Sequence, residues 1–368
     1  MPMNPLDPAS FTHKHARVRG RLYHFVEEGA GDKFAVLCHG FPDLWFGWRY
    51  QVPALVAQGF HVLVPSMLGY STSEAPVVPD SVDVEGGRGA ASQRGPSAMA
   101  AFEQLQQYGF RSVSEDLGAL LDHVSGRAGT RATFLGHDWG GMLVWRVALH
   151  MPERVERLVA VCTPFTPPHR EFTPIREVVK KVPSMAYQVL MQAPGAAAVL
   201  NAHLDEFAAG VFHSAETVAA LARADGRPDP RLAAGSKHAH PLLKFFDGSG
   251  TALRRPMTPA EMAYYLAEFR RTGFAGAINW YRIRRVNYDD ELGVIRRVPT
   301  HIPCLFIAAE HDPFLPPSMA RDIKHTVPQV EIHTVDATHW ALFEAPDEVN
   351  RIITSWLAKT DGAVKARL

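Results

Sequence analysis

Short apolar runs recur along the first half of the chain, and stretches of helical spacing fill the gaps between them. "ARVRG" and "RLYHFVEEG" alternate polar and apolar positions as a strand pair does. "FAVLCHG" is a continuous apolar run ending at Gly40, the pattern of a strand buried on both faces. "WRYQVPALVAQGF" has helical spacing, and "HVLVPSM" reads as another buried strand. "SVSEDLGALLDHVSG" predicts a helix capped by Ser112 or Ser114 and stopped by Gly126. "RATFLGHD" predicts a strand, "GMLVWRVALHMP" a helix ended by Pro152, and "VERLVAVCTP" a further strand. Such alternation predicts an α/β fold, a mostly parallel sheet flanked by helices.

The rhythm breaks between Pro164 and Pro299. "REVVKKV", "AAAVLNAHLDEFAAGVF", "AETVAALARA" and "PAEMAYYLAEFRRTGF" are helical patterns, and no buried strand interrupts them. Residues 164–299 are therefore expected to form a helical cap inserted into a core made of 1–163 and 300–368. "IPCLFIAAEHD" and "VEIHTVDATHW" restore the strands, with helical patterns in "PPSMARDIKHTVP" and "PDEVNRIITSWLAK". One segment, 76–107, is rich in Gly, Pro, Ser and Ala and shows little periodicity in its first half. It reads as a flexible surface loop leaving the carboxyl end of a strand, the edge that faces the ligand crevice in open α/β sheets.

Composition narrows the field. Of 368 residues, 46% are hydrophobic and 21% charged, with a formal net charge of +0. No cationic surplus is available to neutralise phosphates, so nucleic acid is not an expected partner. Cys38, Cys162 and Cys304 lie in or beside apolar runs without metal spacing, which fits reduced thiols in a cytoplasmic protein. "MPMNPLDPASFTHKHARVRG" has no apolar signal-peptide core. No run approaches the roughly 18 apolar residues of a membrane span.

Four motifs fall at predicted strand ends. "GHDWGG" centres on Asp138, with Gly136 two residues before it and Gly140 and Gly141 two and three after. That is the spacing of a nucleophile elbow, a sharp strand-to-helix turn, with aspartate where an esterase has serine. "HGFPDLWFGW" follows the strand "FAVLC", "AAEHDP" places Asp312 after another, and "DATHWALFEAP" places His339 after a third. Each alone has a plainer reading: a helix cap, a turn residue, a packed histidine. Together they give the order nucleophile, acid, histidine.

On these stretches, together with "CTPF", "YQVLMQAPG" and "FRRTGFAGAINWYR", the chain resembles the α/β-hydrolase-fold epoxide hydrolases, close to the hydrolase domain of the soluble enzymes. "GHDWGG" alone is shared with haloalkane dehalogenases. The resemblance implies Asp138 as nucleophile, His339 as water-activating base and Asp312 as its orienting acid. It implies an oxyanion hole from the backbone N–H groups of Phe41 and Trp139, and two cap tyrosines, Tyr187 and Tyr281, holding the epoxide oxygen. Trp139, Met142, Gln188 and Trp340 are expected to form an apolar substrate slot. The chain departs from the pattern at Ser66, where many relatives have Asp, and at Ser71, where many have Gly. The 76–107 segment is long for the family, and no phosphatase domain is expected before the hydrolase stretch, unlike in the two-domain vertebrate enzymes.

The chemistry explains the aspartate. An epoxide carbon is sp3, so serine would form an ether with no further exit. A carboxylate forms an ester whose carbonyl water can attack. A phenol can hydrogen-bond the opening epoxide oxygen and protonate it. The alternatives are a haloalkane or haloacid dehalogenase and a low-turnover ligand receptor of the same fold; Phe41 and the tyrosine pair favour epoxides. No phosphate loop or metal-spaced cluster occurs, so no cofactor or metal is expected. The expected partner is a small epoxide, in a detoxifying or lipid-epoxide role, and a homodimer is left open.

Overall fold

The structure, a computed structural model, describes residues 3–212 and 256–365. The helical pattern expected at "AETVAALARA" lies outside the described residues. Among the described residues there are eight strands, β1 (His13–Val18), β2 (Arg21–Glu28), β3 (Lys33–Cys38), β4 (Phe60–Pro65), β5 (Ala132–His137), β6 (Val155–Val161), β7 (Cys304–Ala309) and β8 (Val330–Val335). They form one sheet in the order β1-β2-β4-β3-β5-β6-β7-β8. β1 pairs antiparallel with β2, and β2 antiparallel with β4. Every pairing from β4 to β8 is parallel.

Every residue of β5 and of β7 is buried, as their unbroken apolar runs require when helices cover both faces. The crossovers include α1 (Gln51–Ala57), α4 (Phe110–Ser125) and α5 (Trp139–His150). Gly126 ends α4 at φ 67°, the left-handed turn that glycine makes at least cost. The start of α4 differs from expectation. The helix begins at Phe110 behind Gly109, and Ser112 and Ser114 lie within it, with no side-chain cap. Instead the Phe110 N–H donates to Asn287 Oδ1 at 2.8 Å.

Between β6 and β7 the described residues contain helices and no strand. The longest, Pro259–Thr272, opens with a capping box: the Glu261 N–H donates to Thr258 Oγ1, and the Thr258 N–H to Glu261 Oε2. Ser71 holds φ 50°, a conformation in which glycine is least strained, and its hydroxyl donates to Glu268 Oε2 at 3.0 Å on this helix. Ser66 accounts for the other departure, its hydroxyl meeting His24 Nδ1 at 2.9 Å.

Residues 76–107 are not the loop their composition suggests. They include α2 (Gly87–Gln93) and α3 (Pro96–Gln106), which bury Ala91, Phe102 and Leu105. With so few large apolar residues, the helical period is faint in the sequence. The stretch is also fastened to the helices between β6 and β7. Arg282 donates to the carbonyls of Val78 and Pro79, and the Gly195 N–H donates to Asp80 Oδ2 at 2.9 Å.

Phe102→Ala measures how firmly this segment packs. A buried Phe→Ala change costs about 3–5 kcal/mol, so chemical denaturation is expected to show a loss near the lower figure. An unchanged midpoint and slope would mean that α3 does not pack as described.

Candidate active site

The site is built around the turn from β5 into α5. Asp138 stands between them at φ 54° and ψ −122°. This is strained backbone for a residue with a Cβ, of order 1–3 kcal/mol. Its neighbours have no room for side chains. A Cβ on Gly136 would lie 2.1 Å from the Gly140 carbonyl oxygen, and one on Gly140 would lie 2.0 Å from that of Cys38. The Thr163 hydroxyl donates to the Asp138 carbonyl at 2.8 Å, closing the turn from β6. The "GHDWGG" spacing is therefore steric: only glycines let β5, α5 and the end of β3 meet so closely.

The turn aims the Asp138 carboxylate into a small chamber. Its Oδ1 accepts the Phe41 N–H at 2.7 Å, and its Oδ2 lies 3.5 Å from His339 Nε2. Trp139 opens α5, so its N–H is among the first-turn amides that lack an intrahelical acceptor. Gly40 is needed beside Phe41, because a Cβ there would sit 2.2 Å from Asp138 Oδ1. On its other side His339 Nδ1 meets Asp312 Oδ2 at 2.7 Å. Asp312 Oδ1 accepts the N–H groups of Phe314 and Leu315 at 2.8 and 2.9 Å.

Electrostatics follow from this geometry. Burial alone would discharge His339, but Asp312 and Asp138 outweigh it and raise its pKa to about 10. Burial pushes the Asp312 carboxyl up, yet the His339 charge and its hydrogen bonds hold it below the ordinary value. Tyr187 and Tyr281 line the same chamber, their rings edge-to-face at 5.7 Å. Burial raises both phenols, Asp138 adds to each, and Tyr187 adds to Tyr281. Both remain proton donors across the neutral range.

The free volume of this chamber is about 10 Å³, roughly the space one water needs. Trp340 lines it together with Asp138, Tyr187, Tyr281 and His339. The expected single apolar slot is divided, however. Trp139, Met142 and Gln188 line a separate cavity of about 320 Å³, which shares Tyr281 with the chamber. The division arises because the Trp139 ring meets the Tyr281 ring edge-to-face at 5.2 Å.

Sequence reading passed over the residues behind the chamber. Buried His137 meets the His339 carbonyl through Nε2 at 2.7 Å. Burial, helped by the His339 charge, lowers its pKa to about 4, so it is neutral and Nε2 carries the proton that it donates. Asp43 lies beyond, 3.8 Å from His137 Nδ1, with its pKa raised to about 6 by burial. Both residues stand inside motifs already singled out, next to Asp138 and after "HGFP", but only their burial marks them. Phe314 meets the His339 ring edge-to-face at 5.2 Å. Two groups among the described residues bring possible metal ligands within 4.8 Å: buried His137, Cys162 and His339, and the surface set Glu310, His311 and Asp336. In the first, both histidines are already committed to the contacts above.

With this geometry in place the comparisons are specific. A family model described as alpha/beta hydrolase fold matches residues 36–346. The chain belongs to the α/β-hydrolase-fold family. Within it, the chain is 32% identical to a bifunctional epoxide hydrolase 2 of Sus scrofa over 97% of its own length and 57% of the relative's. It therefore spans little more than half of the mammalian relatives it matches. It is 29% identical to epoxide hydrolase A of Mycobacterium tuberculosis, over 92% of this chain and 94% of that one. The crystal structure of epoxide hydrolase A from Mycobacterium thermoresistibile superposes with a TM-score of 0.71 at 28% identity, covering 95% of this chain and 98% of that one. No described helix is long and apolar enough to cross a membrane.

The His339 ring should titrate as a charged group held between two carboxylates. Its folded pKa of about 10 lies above its ordinary 6.5. The stability it contributes is thus complete below about pH 6.5 and is lost as pH rises toward 10. NMR of ring-labelled histidine should show the His339 imidazolium persisting through neutral pH, with a lower midpoint in Asp138→Asn. A midpoint near 6.5 that ignores the substitution would refute the arrangement.

Proposed function

We propose that the protein is an epoxide hydrolase. It adds water to a small-molecule epoxide to give a vicinal diol, through an ester on Asp138, beneath a helical cap formed by 164–299. The observation that carries this reading is the Asp138 carboxylate itself. One oxygen is held by a backbone amide, the other faces a histidine–aspartate pair, and two buried phenols share the chamber. The epoxide hydrolases among the relatives support it.

The two oxygens of Asp138 have different duties. Oδ2, without the amide bond, attacks an epoxide carbon. The ring C–O bond breaks, and the released oxygen takes a proton from Tyr187 or Tyr281, which solvent later restores. Oδ1 becomes the ester carbonyl oxygen and already lies in the amide hydrogen bond that stabilises an oxyanion. Alkylation also removes the Asp138 charge that helps to keep His339 protonated. The His339 pKa then falls, and the ring becomes a base when a base is first needed. His339 Nε2 takes a proton from water, and the hydroxide oxygen adds to the ester carbon. Collapse expels the second diol oxygen, which receives that proton, and Asp138 keeps one oxygen from water. Asp312 fixes the imidazole orientation throughout.

His339→Gln separates the steps, because attack needs Asp138 and the phenols while ester hydrolysis needs the base. With a styrene-type epoxide, the variant should consume one equivalent and stall. Intact-mass measurement should then find the protein heavier by one epoxide. Continued turnover near the wild-type rate, or unmodified protein after prolonged exposure, would refute the scheme.

A further inference from the structure

Away from the chamber, three histidines meet where the edge strand β1 pairs with β2. His13 and His15 share one face of β1, because side chains alternate along a strand. Lys14, between them, takes the other face and pairs with Glu27 at 3.0 Å. His24 stands directly opposite His15 in the antiparallel register and diagonal to His13. The centre of its ring is 5.1 Å from that of His13 and 5.2 Å from that of His15. His13 Nδ1 and His24 Nε2 are 2.9 Å apart. An oxygen occupies the other nitrogen of each of these two rings. His13 Nε2 donates to the Pro8 carbonyl at 3.0 Å, so in the neutral ring Nδ1 carries the lone pair. His24 Nδ1 meets Ser66 Oγ at 2.9 Å. His15 likewise has Thr72 Oγ1 at 2.8 Å on its Nε2. His24 is buried, whereas His13 and His15 are exposed. The cation that acts on His24 from outside the trio is Arg271, and Glu268 matches its charge at 2.7 Å.

We infer that His13, His15 and His24 form a binding site for a divalent first-row metal ion of the zinc and copper class, which imidazole suits. The site is separate from the hydrolase chemistry and does not depend on it. Two nitrogens held about 2.0–2.1 Å from one zinc ion stand about 2.8–3.4 Å apart in octahedral to tetrahedral coordination. The His13–His24 pair already has that spacing. The outer contacts are also those of a metal site. A ligating imidazole almost always gives its second N–H to an oxygen, which fixes the ring. Pro8, Ser66 and Thr72 stand in that place for His13, His24 and His15. Binding leaves the proton count unchanged. The His24 proton moves from Nε2 to Nδ1, the Ser66 hydroxyl turns from donor to acceptor, and Nε2 is left to ligate. His15 ligates through Nδ1. The trio is set more widely than the His137 and His311 groups, so His15 swings toward the pair. Its exposed place on an edge strand leaves it free to do so. Solvent completes the coordination. The ion fastens β1 to β2 and, through Ser66 and Thr72, to the stretch after β4, where Ser71 meets the helix Pro259–Thr272.

The test titrates zinc chloride into the untagged chain by calorimetry, in metal-free buffer at neutral pH. Wild type should take up one equivalent, and copper(II) should bind more tightly than zinc. The electron paramagnetic resonance spectrum of the copper complex should show coupling to imidazole nitrogens. Thr72→Val keeps all three rings and removes one outer contact. It should weaken zinc binding by about tenfold to a hundredfold. His13→Gln and His15→Gln, both at exposed positions, should each weaken it further, with circular dichroism confirming that the variants are folded. Zinc should raise the thermal midpoint of wild type but not that of His13→Gln, since an ion that binds only the folded chain stabilises it. His311→Gln should bind zinc as wild type does. No zinc uptake by wild type, wild-type affinity in His13→Gln or His15→Gln, or loss of uptake in His311→Gln would overturn the assignment.

Discussion

Asp138 holds a backbone conformation, φ 54° and ψ −122°, that a residue with a side chain keeps only under constraint from around it. The constraint comes from three directions. Gly136 and Gly140 let β5 and the first turn of α5 touch, and the carbonyl of Cys38 closes on Gly140 from β3. Thr163, just beyond β6, holds the Asp138 carbonyl. Three adjacent parallel strands thus fix one carboxylate, and the sheet order β3-β5-β6 is what brings them together. The amide of Phe41 can meet Oδ1 only because β3 ends beside that turn and Gly40 leaves space for the carboxylate.

The second dependence is one of charge. Two buried carboxylates face one imidazole, and the histidine is held charged between them although burial opposes it. Such a site is balanced only while Asp138 is ionised. In the proposed cycle, conversion of Asp138 to an ester upsets the balance and releases the proton of His339. The groups behind the imidazole do not share this charge. His137 is kept neutral by burial and fixes the His339 backbone through its carbonyl.

Much of this was legible in the sequence, for a physical reason. Buried parallel strands are short apolar runs, and five of them end at or just before a quoted motif or turn, so the reacting residues could be placed from pattern alone. What escaped was of two kinds. The helices of 76–107 escaped because Ala and Gly supply too little apolar surface to mark a period; Phe102 and Leu105 are their main anchors. The division of the substrate space escaped because it depends on the Trp139 and Tyr281 rings meeting edge-to-face, from positions 142 residues apart. The capping serines of α4 were misplaced for a related reason: Asn287, distant in the sequence, supplies the cap from across the structure.

The central claim is that the Asp138 carboxylate forms a covalent bond to substrate. A single turnover in ¹⁸O-labelled water, with enzyme in excess over a styrene-type epoxide, tests it most directly. If Asp138 attacks the epoxide and water attacks the ester, the first diol is unlabelled. The label then appears in the peptide containing Asp138, and later turnovers release it into product. Fully labelled diol in the first turnover, with no label in that peptide, would mean that water attacks the epoxide directly and that Asp138 serves only as a base.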